Sequence, residues 1–115
     1  MITLKLMPDY HCWPLWHYSG EDKVGNIDPH TLPLKSATLD RLEKWIQKYD
    51  DSLDWDQPNV EKDLPLGFWD DFEKEGLELW NILIQELKSK FAVVYFSQRF
   101  NRVFSNLKEY QQMKK

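Results

Sequence analysis

Residues 91–96 read FAVVYF, a run with no polar residue in it. β-Branched and aromatic side chains suit a packed, pleated surface, so the run predicts a buried strand near 91–96. Upstream, Phe68, Phe72, Leu79, Trp80, Leu83 and Leu87 recur at helical spacing. That stripe predicts a helix over about 68–88, which serves as the crossover into the strand. Gly76 sits on the same stripe, where glycine costs about 1 kcal/mol of helix propensity. The expected return is close approach of another backbone, from the first strand or the first helix.

At the other end of the chain, ITLKL (residues 2–6) alternates apolar and polar, with Ile2, Leu4 and Leu6 on one face. It reads as a half-buried strand near 2–7, ended by Pro8. Leu39, Leu42, Trp45, Ile46, Tyr49 and Leu53 mark a helix over about 36–50, with Ser36 as the expected N-cap. Phe100, Val103, Phe104 and Leu107 also follow helical spacing and place a third helix at about 98–112. Between these elements lie two breaker-rich stretches. Residues 8–35 hold Pro8, Pro14, Gly20, Gly25, Pro29 and Pro33, and residues 54–67 hold Pro58, Pro65 and Gly67. The first is read as a long irregular excursion packed by its own rings. The sum is one α+β domain over 1–115, a few-stranded sheet with two or three helices on one face.

A chain of 115 residues can bury one core without a disulfide or a metal. Its 15% aromatic content builds that core around large rings. The lone Cys12 cannot staple the chain, and the apolar patch at the N-terminus is too short for a signal sequence, so the cytosol is the expected compartment. No stretch approaches the roughly 18 apolar residues of a membrane span. The net charge of −4 is unevenly spread. Residues 50–78 carry eleven acids against Lys62 and Lys74, near −9, whereas residues 85–115 are near +5. Nucleic-acid binding is disfavoured over the acidic segment, which would repel phosphate.

The stretch PDYHCWPLWHY (residues 8–18) gathers His11, Cys12 and His17. Their spacing matches no zinc signature, with Trp13 and Trp16 in between, and no glycine-rich turn supplies an oxyanion hole for Cys12. Packing is the better reading, and no metal or cofactor is implied. Asp50, Asp51, Asp54 and Asp56 do not make an EF-hand loop, since its sixth and twelfth positions from Asp51 hold Asp56 and Lys62. An acidic surface bearing tryptophan remains. Trp55 lies between Asp54 and Asp56, and Trp69 precedes Asp70 and Asp71. These six are the candidate partner-binding residues, because a ring can anchor a basic protein while the acids steer its approach.

The residues LMPDYHCWPLW, GNIDPHTLPL and LEKWIQKYDDSLDWDQP resemble a family of small bacterial proteins. Some of its members are immunity proteins against contact-dependent growth-inhibition toxins. The resemblance spans roughly residues 4–96 and leaves the tail after Ser97 outside. Matching positions are Asp9, Tyr10, Cys12, Trp13, Pro14, Trp16, Asn26, Asp28, Pro29, Leu32, Trp45, Tyr49 and Asp50. It carries no catalytic residues. Trp13 and Trp16 are expected to lock the loop over the open side of a thin sheet, and Asp28 to cap or turn locally before Pro29. The resemblance implies a non-enzymatic immunity protein whose partner is a cognate toxin, expected to be basic as a nuclease would be. Two alternatives stay open: a small metal-binding or thiol enzyme centred on His11, Cys12 and His17, and an adaptor for an unrelated protein.

Overall fold

The first strand and the FAVVYF strand lie side by side in the computed structural model, which describes residues 2–18, 25–53, 56–57 and 63–113. Strand β1 (Ile2–Leu6) pairs in parallel with β4 (Phe91–Ser97), so that Leu4 faces Val93 and Leu6 faces Tyr95. Parallel neighbours need a crossover. Helices α1 (Ser36–Asp51) and α2 (Phe68–Leu87) lie between them in the chain. Strand β2 (Leu15–His17) runs antiparallel to β1, β3 (Asn26–Ile27) is antiparallel to β2, and β5 (Arg102–Phe104) is antiparallel to β4. The five-stranded mixed sheet therefore has the order β3-β2-β1-β4-β5. Helix α3 (Leu107–Met113) follows. The α+β reading holds.

One face of the sheet makes the core. Leu4, Leu6, Leu15, Val93, Tyr95 and Phe104 pack against Leu42 and Trp45 of α1 and against Phe72, Leu79, Trp80, Leu83 and Leu87 of α2. Burial of these side chains, each worth about 1.5–3 kcal/mol, is the main force holding the layers together. The indoles also carry polar ties. Trp45 Nε1 donates to the Phe72 carbonyl at 3.0 Å and Trp80 Nε1 to the Val93 carbonyl at 2.8 Å. The Trp45 ring stacks on Phe72, and the Trp80 ring on Tyr95.

Several expectations are corrected. The excursion after Pro8 contains two short strands, β2 and β3, too brief to leave a period in the sequence. The tail is not one helix. Val103 and Phe104 belong to β5, and a helix resumes only at Leu107. The helical spacing of Phe100, Phe104 and Leu107 has another cause, because Phe100, Phe104 and Tyr110 meet edge-on as a ring cluster. Ser36 does not cap α1. The cap position is Lys35, and Glu86 of α2 takes the capping role, accepting from the Lys35 backbone N–H (2.9 Å) and from Thr38 Oγ1 (2.6 Å). A carboxylate suits the positive end of a helix dipole. Gly76 makes room for side chains rather than backbone. A Cβ there would lie 2.7 Å from Tyr95 Oη and 2.9 Å from Trp45 Cζ2.

The loop joining β1 to β2 is tied at many points. Met7 N–H donates to the Pro14 carbonyl, Trp16 Nε1 to the Met7 carbonyl, and His11 N–H to Asp50 Oδ1. The Tyr10 ring stacks on Tyr49 with centroids 4.4 Å apart. Trp16 is 9% exposed and lies in register with Lys5 and Val94 on the face away from the helices, as the locking role requires. Trp13 departs from that role. Its ring is 49% exposed and lines a groove with α1, while its backbone is fixed by Asn26. Asp28 caps a short 3-10 turn, Pro29–Thr31, through a bond from His30 N–H, as expected of it.

Candidate partner-binding site

The first turn of α2 and the turn after β4 meet in a cleft of about 290 Å³ lined by Trp69, Asp70, Glu73, Gln98 and Arg99. An adjoining hollow, also about 290 Å³, is lined by Asp70, Glu73, Lys74, Leu77, Arg99 and Tyr110. Gly67, with φ of +82°, starts the helix and sends Trp69 and Asp70 outward. Trp69 is 40% exposed, its inner edge held by Tyr49, Phe68 and Phe72. Asp70 pairs with Arg99 at 2.6 Å across the mouth of the cleft.

Beneath them lies Glu73, almost fully buried. Its Oε1 accepts from Tyr95 Oη (2.8 Å), and its Oε2 from Ser97 Oγ (2.5 Å) and Tyr110 Oη (2.8 Å). A buried carboxylate is tolerated only when its lone pairs are satisfied, and three hydroxyls from β4 and α3 do so here. Burial and the Glu73 charge hold the Tyr110 hydroxyl up at about 12 and push that of Tyr95 up as well. The group is a structural clamp rather than an acid–base pair: each hydroxyl is spent on the carboxylate.

Of the six candidate residues, Trp69, Asp70 and Asp71 stand together on the first turn of α2. Asp56 is exposed in the short turn described after α1. Asp54 and Trp55 lie outside the described residues. The acidic segment is less bare than its composition suggests. Glu73 is buried, Glu75 and Glu78 pair with Lys48 and Arg41 of α1, and Asp70 pairs with Arg99. Asp71 has no ion pair among the described residues. The sequence does not single out Glu73, and it offers Arg99 only as part of the basic C-terminal segment. An acid directly beside Phe72 on a buried stripe was the available signal for the first; nothing local marks the second.

The thiol and metal alternative gains little from the geometry. Cys12 is half-buried, and burial with the charges of Asp9 and Asp50 pushes its thiol up, away from the thiolate a nucleophile needs. His11 sits at a left-handed turn (φ 58°), and His17 is at the end of β2. Among the described residues no three His, Cys, Asp or Glu side chains are grouped to hold a metal, and no helix is long and apolar enough to cross a membrane.

No curated protein matches the chain. A family model described as Serratia CdiI immunity protein-like matches residues 2–98, from β1 through β4 to the lip of the cleft. With the match running through the aromatic loop, both long helices and the central strands, the chain belongs to the Serratia CdiI immunity protein-like family.

Proposed function

We propose that this chain is a non-enzymatic, cytoplasmic immunity protein that binds a cognate toxin domain and neutralises it by covering a basic face. Family membership over residues 2–98 is the observation that carries the reading. A nuclease toxin supplies such a face, because its substrate is a polyanion. Trp69, half-exposed and backed by three rings, offers a rigid anchor, and Asp70 and Asp71 beside it offer charge. Asp54, Trp55 and Asp56 are assigned to the same surface on sequence grounds. Rim charges act through the encounter rate and are screened by salt, whereas a buried anchor acts through dissociation.

The test is binding kinetics with the cognate toxin domain, sought among the products of neighbouring genes, at two ionic strengths. Asp54→Lys with Asp56→Lys should slow association at low salt, with a smaller loss at high salt. Trp55→Ala and Trp69→Ala should speed dissociation. Failure of the wild-type chain to bind that domain, or to protect cells expressing it, would refute the immunity reading. Unchanged rates in all the variants would move the interface away from this surface.

A further inference from the structure

The half-exposed Trp13 points to a second anchoring surface. Folding does not account for its exposure, since a tryptophan held in a loop gains most by being buried. Its main chain is nevertheless held on both sides by one side chain: Trp13 N–H donates to Asn26 Oδ1 (3.0 Å), and Asn26 Nδ2 donates to the Trp13 carbonyl (2.7 Å). The ring is therefore presented to solvent on a fixed backbone, so little ordering cost remains to be met on binding. It forms one wall of a groove of about 100 Å³ against Pro29, His30, Leu39, Glu43 and Ile46. That volume is well below the roughly 300–1,000 Å³ of small-molecule pockets and suits a single protruding side chain.

The charges around the groove select the occupant. Asp28 is engaged by His30 and Asp40 by Lys44. Glu43 is exposed and has no ion pair among the described residues, and the His30 bond to Asp28 is an ion pair only with a protonated ring, so the rim carries net negative charge. A second copy of the chain would bring the same charge and a net −4 to the contact. A basic partner would not. We propose that this groove takes an apolar side chain of the toxin domain, with a neighbouring lysine or arginine of that domain meeting Glu43. The inference rests on the immunity reading above and places a second contact on the α1 side of the molecule, apart from the Asp70–Arg99 cleft.

The probe is the same cognate toxin domain, titrated against the full chain and against Trp13→Ala and Glu43→Lys. Trp13→Ala should weaken binding by about 30-fold, the level of an interface hot spot, mainly through faster dissociation. Glu43→Lys should slow association several-fold at low salt and less at high salt. Glu43 is exposed, so this variant keeps the test valid even if Trp13→Ala loses stability. Wild-type binding with both variants within twofold of it would overturn the proposal and leave the immunity reading standing. No binding by the wild-type chain would remove both. A dimer in sedimentation that Trp13→Ala converts to monomer, with toxin affinity unchanged, would assign the groove to a second copy and overturn the proposal.

Discussion

Replacing Gly76 by alanine should destabilise this protein, although the same change in an exposed helix stabilises. The helix would gain about 1 kcal/mol of propensity. Against that, the new Cβ meets Tyr95 Oη at 2.7 Å and Trp45 Cζ2 at 2.9 Å, both closer than real contacts allow. Neither neighbour moves freely, because Tyr95 is bonded to Glu73 and Trp45 Nε1 to the Phe72 carbonyl. Overpacking of this kind costs about 1–3 kcal/mol. Displacing Tyr95 from the carboxylate adds part of the roughly 1.5–3 kcal/mol of a hydrogen bond to a charged group. The net is a loss of about 1–3 kcal/mol, or on the order of 1 M in the urea midpoint. Equilibrium urea denaturation followed by circular dichroism measures it. Combining Gly76→Ala with Tyr95→Phe removes the nearest clashing atom, so the pair should be non-additive by about 0.5 kcal/mol or more. A midpoint that stays level or rises in Gly76→Ala would refute the close approach on which the reasoning stands.

Trp16→Ala should cost about 3–5 kcal/mol, as expected for a buried ring, whereas Trp13→Ala should cost under about 1.5 kcal/mol; parallel denaturant melts compare them. Tyr110→Phe should cost about 1.5–3 kcal/mol by removing one of three donors to Glu73, read as a lower melting temperature with near-native circular dichroism. Asp70→Lys should change stability by less than about 1 kcal/mol, since its pair with Arg99 is exposed; a larger loss in a thermal melt would show that the pair braces the cleft. Tyr49 and Tyr110 have folded-state values of about 12, above the usual 10, so the folded state binds their protons more tightly. Their stabilising contribution is complete below pH 10 and is lost as pH rises from 10 to 12. Absorbance at alkaline pH should therefore show their phenolates appearing late, in step with unfolding; early ionisation of all five tyrosines in a folded protein would contradict this.

The long elements were legible in the sequence because their periods repeat. Leu4 and Leu6 alternate on β1, FAVVYF has no polar break, and the stripes of α1 and α2 run for several turns. Strands β2 and β3, at three and two residues, are too short for a period; β2 is placed by register with Leu6 and Lys5 of β1, and β3 by register with Leu15 and Trp16 of β2. The tail misled because ring clustering around Tyr110 imitates helical spacing. Trp13 misled for a different reason: residue type shows that a ring is large, not whether its backbone is held by something else, here the Asn26 amide. Trp69, Asp70 and Asp71 were singled out in the sequence as candidates by an aromatic beside two acids at a helix start, and they share the first turn of α2. The Asp70–Arg99 pair joins residues from separate elements, and one sequence gives no sign of it.

The parallel pairing of β1 with β4 governs when the molecule can come into being. Leu4 is made before its partner Val93, which comes nearly ninety positions later. Contacts so far apart must close a long loop before they return any stability, which slows folding. At synthesis rates of about 5–20 residues per second, the first strand waits roughly 5–20 seconds for its neighbour. Through that interval the sheet has no centre, and β2 and β3 have only β1 to rest on. Chains ending before Phe91 should therefore stay open to protease, and protection should appear only once β4 and the core residues Phe104 and Tyr110 that follow it are free to pack. On the immunity reading proposed above, protection at any moment would come from copies that have already joined β1 to β4.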